Sequence, residues 1–398
     1  MTLHVVGAGM AGLACAIAAA DAGLDVVLHE AAKQAGGRCR SWDDAIIGRR
    51  IDNGTHVVVG GNPATHAYLH RIGTQDSLRP LPRTPAIYDL ATDKLWRAGP
   101  LALVRAFAGS LWRLGFDDHG TVAQRMGDTT DYRTLWEPLA VGALNTSAEL
   151  ASAALFRTVL ASAVWRGLNA ARMHMVRDSL SASFVAPALE ALAQRGATVR
   201  IGRPLRELVR RDGRAVELQF DDEVFALSRH DAVVLATPWW ITGRWLDLPE
   251  FPDSPIVNVH FRLAAPPERL ANHAVLGMVG GTAQWVFRRD DILSAHVSAA
   301  AGLDEKTNEE IAERMWGDVA RALGMSAQPE AVRVVKEKRA TLLHSLETES
   351  KRPHRRQGEN LMLAGDWTAT GLPCTIEGAV RSGNAAAADA VAMLRDGR

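Results

Sequence analysis

The chain has 398 residues, which is too long for a single compact core, so we expect two domains. Apolar residues make up 47% of the sequence and glycines number 34, as is typical of a soluble α/β protein with many tight turns. The 45 basic and 45 acidic residues balance, which argues against nucleic acid as a partner while allowing a local basic patch.

The three cysteines, Cys15, Cys39 and Cys374, include no C-x-x-C pair, so we predict neither a disulfide framework nor a zinc site. His66 and His70 lie one helical turn apart, but no third ligand has a suitable spacing, so we predict no metal. The first predicted strand begins near the N-terminus, and no run of ~18 apolar residues occurs, so we expect neither a signal peptide nor a membrane-spanning helix. We therefore expect a cytoplasmic protein, whose only membrane contact is peripheral, on the inner face.

The N-terminal segment predicts a strand, a glycine-rich turn, a helix and a second strand. Residues 3–6 are an apolar run, and an alanine-rich stretch continues to position 22. Between them stands G-x-G-x-x-G, whose glycines allow a tight turn, a close approach to a diphosphate and tight helix–strand packing. The helix N-terminus offers partial positive charge to phosphates, and the acid that ends the second strand is placed to bind a ribose. The predicted cofactor-binding residues here are Gly7, Gly9, Met10, Ala11, Gly12, Glu30 and Ala31.

Two further glycine motifs decide which dinucleotide binds. Gly36-Gly37-Arg38 follows the second strand closely, and a buried-strand run at residues 361–364 leads into Gly365-Asp366. Both motifs resemble segments of the amine oxidase and phytoene desaturase superfamily of flavoproteins. The resemblance implies FAD as the cofactor, with Arg38 along the flavin diphosphate and Asp366 near the ribityl and pyrophosphate oxygens. Because the sequence has no second G-x-G-x-x-G unit, we predict no nicotinamide domain, and the electron donor stays unidentified.

The superfamily resemblance also implies the fold. This is an α/β fold, in which a Rossmann-like FAD-binding domain of the amine oxidase type carries an inserted α+β substrate domain. We expect the FAD-binding domain to comprise residues 1–62, 181–238 and 351–398, and the substrate domain to comprise residues 63–180 and 239–350. Local patterns in the middle of the chain predict a helix at 184–194, a strand at 198–201, a hairpin at 205–220 and a strand at 232–236.

The stretch from Leu101 to Gly115 predicts an amphipathic helix. One face carries Leu103, Val104, Phe107, Leu111 and Leu114, and the opposite face carries Arg105 and Arg113. Such a basic helix is typical of a protein that lies on an anionic bilayer, but it also fits a helix that packs in the substrate domain with its arginines in water. The basic run at residues 351–356 allows either a bilayer contact or a solvated loop.

Two inner segments narrow the resemblance. Residues 52–60, DNGTHVVVG, and residues 143–152, ALNTSAELAS, are similar to those of the hydroxysqualene dehydroxylases of bacterial hopanoid synthesis, as is the ending at 365–383. The resemblance covers nearly the whole chain. From the residues alone, 52–54 also fit a turn, and 146–149 fit a capping box that starts a helix. The remaining residues that the resemblance assigns to the cofactor are Asn53, Gly54, Thr55, His56, Leu205, Thr237, Thr375, Ile376, Glu377 and Ala379.

The family resemblance implies reductive removal of an allylic hydroxyl from hydroxysqualene, which gives squalene. The departing oxygen needs a proton, and a cationic carbon needs electron-rich walls. His56 is our candidate proton donor because of its position in the motif. Trp367, directly after Asp366, is our first candidate for a wall, and the other tryptophans available are Trp136, Trp239, Trp240 and Trp285.

A long hydrocarbon substrate is almost insoluble in water, so the enzyme must take it from a bilayer or a partner. This favours the interpretation of residues 101–115 as a membrane-docking helix. Three other functions stay open at this point. They are a carotenoid-type desaturase or isomerase, a flavin amine oxidase, and a non-catalytic flavin-bearing subunit that binds isoprenoid.

Overall fold

The structure is a computed structural model that describes residues 1–83, 86–97, 109–115, 117, 119–129, 131–164, 169–270 and 274–396. The described strands are β1 (Thr2–Val6), β2 (Asp25–Glu30), β3 (Ser41–Asp44), β4 (Arg49–Asp52), β5 (Val58–Val59), β6 (Leu78–Pro80), β7 (Ala86–Asp89), β8 (Lys94–Trp96), β9 (Met173–Val176), β10 (Thr198–Ile201), β11 (Glu207–Arg211), β12 (Arg214–Gln219), β13 (Val224–Ala226), β14 (Ala232–Leu235), β15 (Asp253–Arg262), β16 (Val275–Val279), β17 (Trp285–Arg289), β18 (Ile292–Val297), β19 (Ala331–Leu342) and β20 (Leu361–Leu363). The α-helices that lie within these residues are α1 (Met10–Asp21), α2 (Pro63–Arg71), α3 (Val122–Met126), α4 (Glu137–Leu144), α5 (Ala153–Val164), α6 (Ala186–Gln194), α7 (Trp239–Thr242), α8 (Asn308–Leu323), α9 (Leu346–Lys351) and α10 (Ile376–Asp396).

A parallel five-stranded sheet positions the glycine motifs. Its order is β10-β2-β1-β14-β20, so strands from both ends and from the middle of the chain lie side by side. Strands β1 and β14 are buried almost throughout, which explains why their sequences are continuous apolar runs. Because the strands are parallel, the residues that follow them meet at one edge. The strands predicted at 3–6, 198–201 and 232–236 are confirmed.

Helices α1 and α10 pack closely on this sheet. A Cβ built on Gly383 in α10 would lie 2.1 Å from the carbonyl oxygen of Ala11, so the two backbones touch there. Beside the sheet, β11 and β12 form the predicted hairpin, and it turns at Asp212 and Gly213, which both have positive φ. The helix predicted at 184–194 is also confirmed, since α6 follows a π-helical turn at Ser181–Val185.

The second large sheet has seven strands, in the order β19-β15-β18-β17-β16-β7-β8. One face of its central strands is apolar and packs against α8 through Ile311, Met315 and Val319. Helix α8 begins at a capping box made by Thr307 and Glu310 and ends at Gly324 in the left-handed region. On the other face, β15 and β18 carry polar side chains, and Asn258 and His260 of β15 lie against Asp52 and Asn53. The domain boundaries given above stay a prediction.

The segment at 146–149 does not start a helix, so the capping-box interpretation is wrong. The hydroxyl of Thr146 donates to the carbonyl of Leu144 and accepts from the backbone N–H of His344. Helix α5 begins only at Ala153. The backbone of Asn145 is in the left-handed region. Its side chain joins this segment to β15 and β19 through Ser254 and Thr341.

The proposed amphipathic helix lies partly outside the described residues, because residues 98–108 are not among them. Residues 109–113 are helical, and Leu114 is fully buried in a cluster with α3, α4 and α5, whereas Trp112 is 77% exposed. The described end of the stretch is therefore packed on one face and carries a free indole on the other. Among the described residues we find no helix of the length and apolarity that a bilayer crossing requires.

Candidate active site

The first glycine motif forms a tight turn between β1 and α1. A Cβ on Gly7, whose φ is +106°, would lie 2.6 Å from the carbonyl oxygen of Ala236. A Cβ on Gly12 would lie 1.8 Å from the carbonyl oxygen of Gly7, so only glycine permits this helix–strand contact. A Cβ on Gly9, in contrast, would have no described atom within 4 Å. Two glycines thus serve packing, and the third borders an open space at the helix end.

The N-terminus of α1 is free to bind an anion. Gly9 occupies the N-cap position, and no side chain of the described residues caps the helix there. The N–H groups of a first helical turn have no intrahelical acceptor, so they offer hydrogen bonds and partial positive charge to a phosphate. The carboxylate of Glu30 accepts from the backbone N–H groups of Ala8 (2.7 Å) and Ala32 (2.8 Å). It therefore joins the glycine turn after β1 to the residues after β2, at the sheet edge where a ribose is expected.

The second glycine motif contacts the first directly. The backbone N–H of Gly36 donates to the carbonyl of Ala8 (2.8 Å), and a Cβ on Gly37 would lie 3.3 Å from the Cα of Gly9. The loop at residues 202–205 also joins this edge, because the N–H of Arg203 donates to the carbonyl of Glu30 (2.7 Å). The residues assigned to the adenosine half of the cofactor therefore lie together.

Arg38 and Asp366 form an ion pair across 328 positions of sequence. Both oxygens of the Asp366 carboxylate accept from one guanidinium nitrogen of Arg38, at 2.7 and 2.8 Å, and the aspartate is nearly buried. Arg38 also donates to the carbonyl of Ala340. The sequence predicted that each residue contacts the cofactor, but it did not predict that they pair. The pair neutralises two charges and joins the glycine loop to the C-terminal motif.

The loop that follows β20 is held by a buried arginine. The Arg352 side chain, 1% exposed, donates to the carbonyls of Asp366 (2.5 Å) and Leu372 (2.7 Å) and forms an ion pair with Glu349 (2.8 Å). Arg352 belongs to the basic run at 351–356, so the interpretation of that run as a solvated loop is wrong at this position. A guanidinium has five N–H donors, which suits it to several carbonyls of one loop.

Trp367 packs in the core. It is 1% exposed, and its indole N–H donates to the carbonyl of Thr237 (3.1 Å), which ties the loop to the turn after β14. In contrast to the expectation from the sequence, the ring offers no surface to a substrate. Of the other candidate tryptophans, Trp136, Trp239 and Trp285 are buried, whereas Trp240 is half-buried and stacks its ring beneath the Arg339 guanidinium.

Helix α10 begins at Ile376, directly after Thr375. The hydroxyl of Thr375 accepts from the N–H of Gly378 (3.1 Å), and the N–H of Ala379 donates to the carbonyl of Thr375 (2.9 Å). Glu377 is buried and accepts from the N–H and hydroxyl of Thr65, so its carboxylate stabilises the first turn of α2. Burial raises the pKa of the neighbouring Cys374 thiol to about 12, so this cysteine stays protonated.

His56 lies between the cofactor motifs and the seven-stranded sheet. Its half-buried ring is close enough to Asp52, Arg38 and Asp366 for their charges to act on it. Burial is the largest influence and lowers its pKa, while Asp52 and the Arg38 backbone favour the protonated form. The preceding residues are fixed, since the Asn53 amide donates to Glu337 (3.1 Å) and a Cβ on Gly54 would lie 3.0 Å from the Asn258 amide nitrogen.

Four polar side chains on β15 and β18 face this segment. The strands pair so that Asn258 is opposite His296 and His260 is opposite Ser294. His296 is hydrogen-bonded to Asn258 (2.9 Å), and His260 is hydrogen-bonded to Ser294 (2.8 Å) and to the carbonyl of Asp52 (3.1 Å). Burial lowers the pKa of both histidines to about 4, and the nearness of His56 adds to this at His296. Both rings are therefore neutral at pH 7.

These four residues were not predicted from the sequence. The signal was present, because N-V-H-F in β15 and S-A-H-V in β18 alternate polar and apolar side chains. Such alternation predicts a strand with one polar face. A histidine at a polar position of each strand indicates that this face does more than contact solvent. Among the described residues, no group of three or more His, Cys, Asp or Glu is arranged to hold a metal ion.

The residues present fit a flavin dinucleotide. The open space beside Gly9, the free N-terminus of α1 and Glu30 at the adjoining strand end suit the adenosine diphosphate half. A model of the family of flavin containing amine oxidoreductases matches residues 10–391. The cyclohexylamine oxidase of Brevibacterium oxydans has the same fold, with a TM-score of 0.75 at 15% identity over 99% of each chain. The protein is therefore an FAD-dependent oxidoreductase of the amine oxidase fold.

Curated relatives narrow this class. The hydroxysqualene dehydroxylase of Rhodopseudomonas palustris is 38% identical to this chain over 97% of both sequences. That of Sinorhizobium fredii is 37% identical, also over 97% of both. The chain belongs to the hydroxysqualene dehydroxylase family within the flavin containing amine oxidoreductases, as the resemblance of its motifs implied.

Proposed function

We propose that this enzyme converts hydroxysqualene to squalene by removing an allylic hydroxyl as water. The name shared by its full-length relatives supports this substrate. The observation that carries the proposal is the position of His56, whose ring is near Arg38 and Asp366 and also faces the sheet with His296. This position supports the role of proton donor that we propose for His56.

FAD, when bound and reduced, supplies a hydride to the carbon that loses the hydroxyl. The protein must provide the rest. Hydroxide is a poor leaving group, so the oxygen has to be protonated as the carbon–oxygen bond breaks. We assign this proton to His56. Because burial lowers the pKa of His56, its protonated ring is a stronger acid than a histidine in water.

We further propose which residues hold the cofactor. The first turn of α1, from Met10 to Gly12, binds the diphosphate, and Glu30 binds the adenosine ribose. The loop at 36–38 and the loop at 365–367 enclose the flavin half, with the Arg38–Asp366 pair between them. The other cofactor residues named from the sequence stay predictions.

A hydrocarbon substrate dissolves in a membrane rather than in water. We therefore propose that the segment around Trp112 docks on a membrane surface. The indole there is 77% exposed, while the adjoining Leu114 is buried. Exposed tryptophan near a basic segment is typical of a peripheral membrane contact. Flotation with anionic vesicles tests this, and we expect Trp112→Ala to weaken binding, whereas Leu346→Ala, which removes a 37% exposed leucine from α9, does not.

The test of the reaction is a single turnover. The purified holoenzyme, reduced without oxygen and mixed with hydroxysqualene in detergent, is expected to form one squalene per flavin. The same preparation distinguishes the rival functions. Desaturation of a carotenoid precursor by the oxidised enzyme, or peroxide production from amines, would replace the proposal, and binding without turnover would indicate a carrier subunit.

A further inference from the structure

A small cavity lies beside His56, between β9 and the polar face of the seven-stranded sheet. The volume open to the centre of a water molecule is about 10 Å³, which is enough for one water. Its polar lining includes His56, Ser294 and Arg289, and its apolar lining includes Val176 and Phe287. The mechanism described above does not use this space.

The charges around the cavity balance. Arg289 donates to Asp52 (2.7 Å) and to the carbonyl of Arg50 (3.3 Å), and it lies 16% exposed. An ion pair cancels the field that would otherwise select a charged ligand, so the cavity suits a neutral oxygen. His260 keeps the Ser294 hydroxyl in place, since its Nδ1 and that hydroxyl are 2.8 Å apart.

Polar partners for such an oxygen are available. Two hydrogen bonds of Arg289 to described residues leave other guanidinium N–H groups as donors. The neutral His260 ring donates from Nε2 to the carbonyl of Asp52, so its Nδ1 accepts from Ser294, whose oxygen keeps its acceptor sites. A buried water requires two to four such partners, which His56, Ser294 and Arg289 provide. The apolar groups on the remaining wall exclude further water.

We propose that this cavity receives the hydroxyl oxygen of the substrate and holds it as it leaves. This inference rests on the proposed function and adds the site of the leaving group. The carbon–oxygen bond breaks with its electron pair remaining on oxygen, a proton from His56 completes a water molecule, and the carbon accepts the hydride already described. The cavity then selects an alcohol over the hydrocarbon product, because only the alcohol carries the oxygen that fills it.

Two substitutions fill the cavity from opposite walls without removing a charged group. Ser294→Thr adds a methyl group and keeps the hydroxyl, and threonine suits a strand such as β18. Val176→Ile adds a methyl group from β9. Ser350→Thr makes the same chemical change at an exposed position in α9 and is the matched control. Thermal melting and flavin content show which variants retain the fold.

The decisive readout is binding to the oxidised holoenzyme, which does not turn over. Hydroxysqualene and squalene are each titrated in detergent micelles while the flavin absorption is recorded. We expect the wild type and Ser350→Thr to prefer the alcohol by roughly 10-fold, the value of about one net hydrogen bond. Each cavity-filling variant is expected to lose this preference while its affinity for squalene stays unchanged.

The proposal is overturned if the wild type binds both compounds equally, or if a folded, flavin-loaded Ser294→Thr or Val176→Ile protein keeps the full preference. Failure of the proposed function looks different. In that case the reduced wild type forms no squalene in the single-turnover assay, whatever the binding preference is. Because the binding titration needs no catalysis, the two ideas are tested separately.

Discussion

Replacing Gly9 by alanine should separate folding from cofactor binding. The new Cβ would meet no described atom within 4 Å, and the backbone at Gly9 (φ −75°, ψ −178°) is one that alanine adopts readily. The fold should therefore tolerate the change at a cost of less than ~1 kcal/mol, mainly from the poorer N-cap. The methyl group, however, points into the space through which we propose that the diphosphate passes.

The expected loss of affinity follows from the hydrogen bonds that the helix end offers. A hydrogen bond to a charged group contributes ~1.5–3 kcal/mol, and displacing a phosphate from two N–H groups of the first turn costs twice that. This corresponds to roughly 10²–10⁴-fold weaker FAD binding. Quenching of flavin fluorescence during titration of the apoprotein measures the affinity, and thermal melting of the apoprotein measures the fold.

Two other glycines provide the comparison. Gly317→Ala, at an exposed position in α8 where a Cβ also meets no described atom, should stabilise the helix by ~1 kcal/mol and leave FAD affinity unchanged. Gly12→Ala, whose Cβ would lie 1.8 Å from the Gly7 oxygen, should disrupt the fold itself. If Gly9→Ala binds FAD as tightly as the wild type, the diphosphate does not pass over Gly9 and the reasoning fails.

Three further predictions concern buried charged and titratable groups. The rate of squalene formation by the wild type should rise as the pH falls below ~6.5, because burial lowers the pKa of His56 and only its protonated ring donates. The variant His56→Gln should show no such rise, and its single turnovers should be ~100-fold slower. The pKa values of His4 and His29, lowered by burial to about 4 and about 3, keep both rings neutral in the fold. Their contribution to the free energy of unfolding, ~3 kcal/mol for His4, is complete above pH ~6.5 and is lost as the pH falls toward 4. Urea titrations at pH 7 and pH 4.5 measure this loss of stability, and we expect it to be smaller in His29→Phe than in the wild type. Finally, Arg352→Met should destabilise the protein by roughly 3–5 kcal/mol and release flavin, because Glu349 is left without its cation, as melting and flavin absorption would report.

Each of these has a clear contrary result. A pH profile that is flat in the wild type, or unchanged in His56→Gln, would assign proton delivery to another group. Equal stability losses on acidification in His29→Phe and the wild type would place the acid sensitivity outside this histidine pair. An Arg352→Met protein that melts as the wild type does would mean that the loop after β20 is held by its other contacts.

Local patterns were sufficient to predict the sheet that carries the glycine motifs. A parallel strand buried on both faces is a continuous apolar run, and Gly23, with φ of +82°, follows α1 as a helix-ending glycine should. The hairpin at 205–220 was also predicted, and it turns at Asp212 and Gly213, two adjacent residues of types that favour positive φ. Such signals act over a few residues, and they can therefore be recognised in a single sequence.

Contacts between residues that are distant in the sequence could not be predicted from local patterns. Nothing local to Arg38 or Asp366 indicates that they pair, since 328 positions separate them. The burial of Arg352 was missed for the same reason, because a basic run usually lies in water and only the loop that surrounds this residue makes burial favourable. Trp367 was misplaced because an aromatic residue beside a cofactor motif can face the ligand or the core, and only packing decides between them.

The two faces of the seven-stranded sheet explain how a polar site exists inside a water-excluding fold. Val257, Val259 and Phe261 of β15 bury their side chains against α8, which anchors the strand independently of its other face. That anchoring allows the intervening Asn258 and His260 to be buried at 1% and 2% exposure, with their desolvation offset by hydrogen bonds to β18 and to Asp52 at the end of β4. Both sheet histidines are neutral and Asp52 is paired to Arg289, which is why we assign the transferred proton to His56. The apolar face thus holds the strand in the core, while hydrogen bonds satisfy the polar side chains that lie on the side of His56.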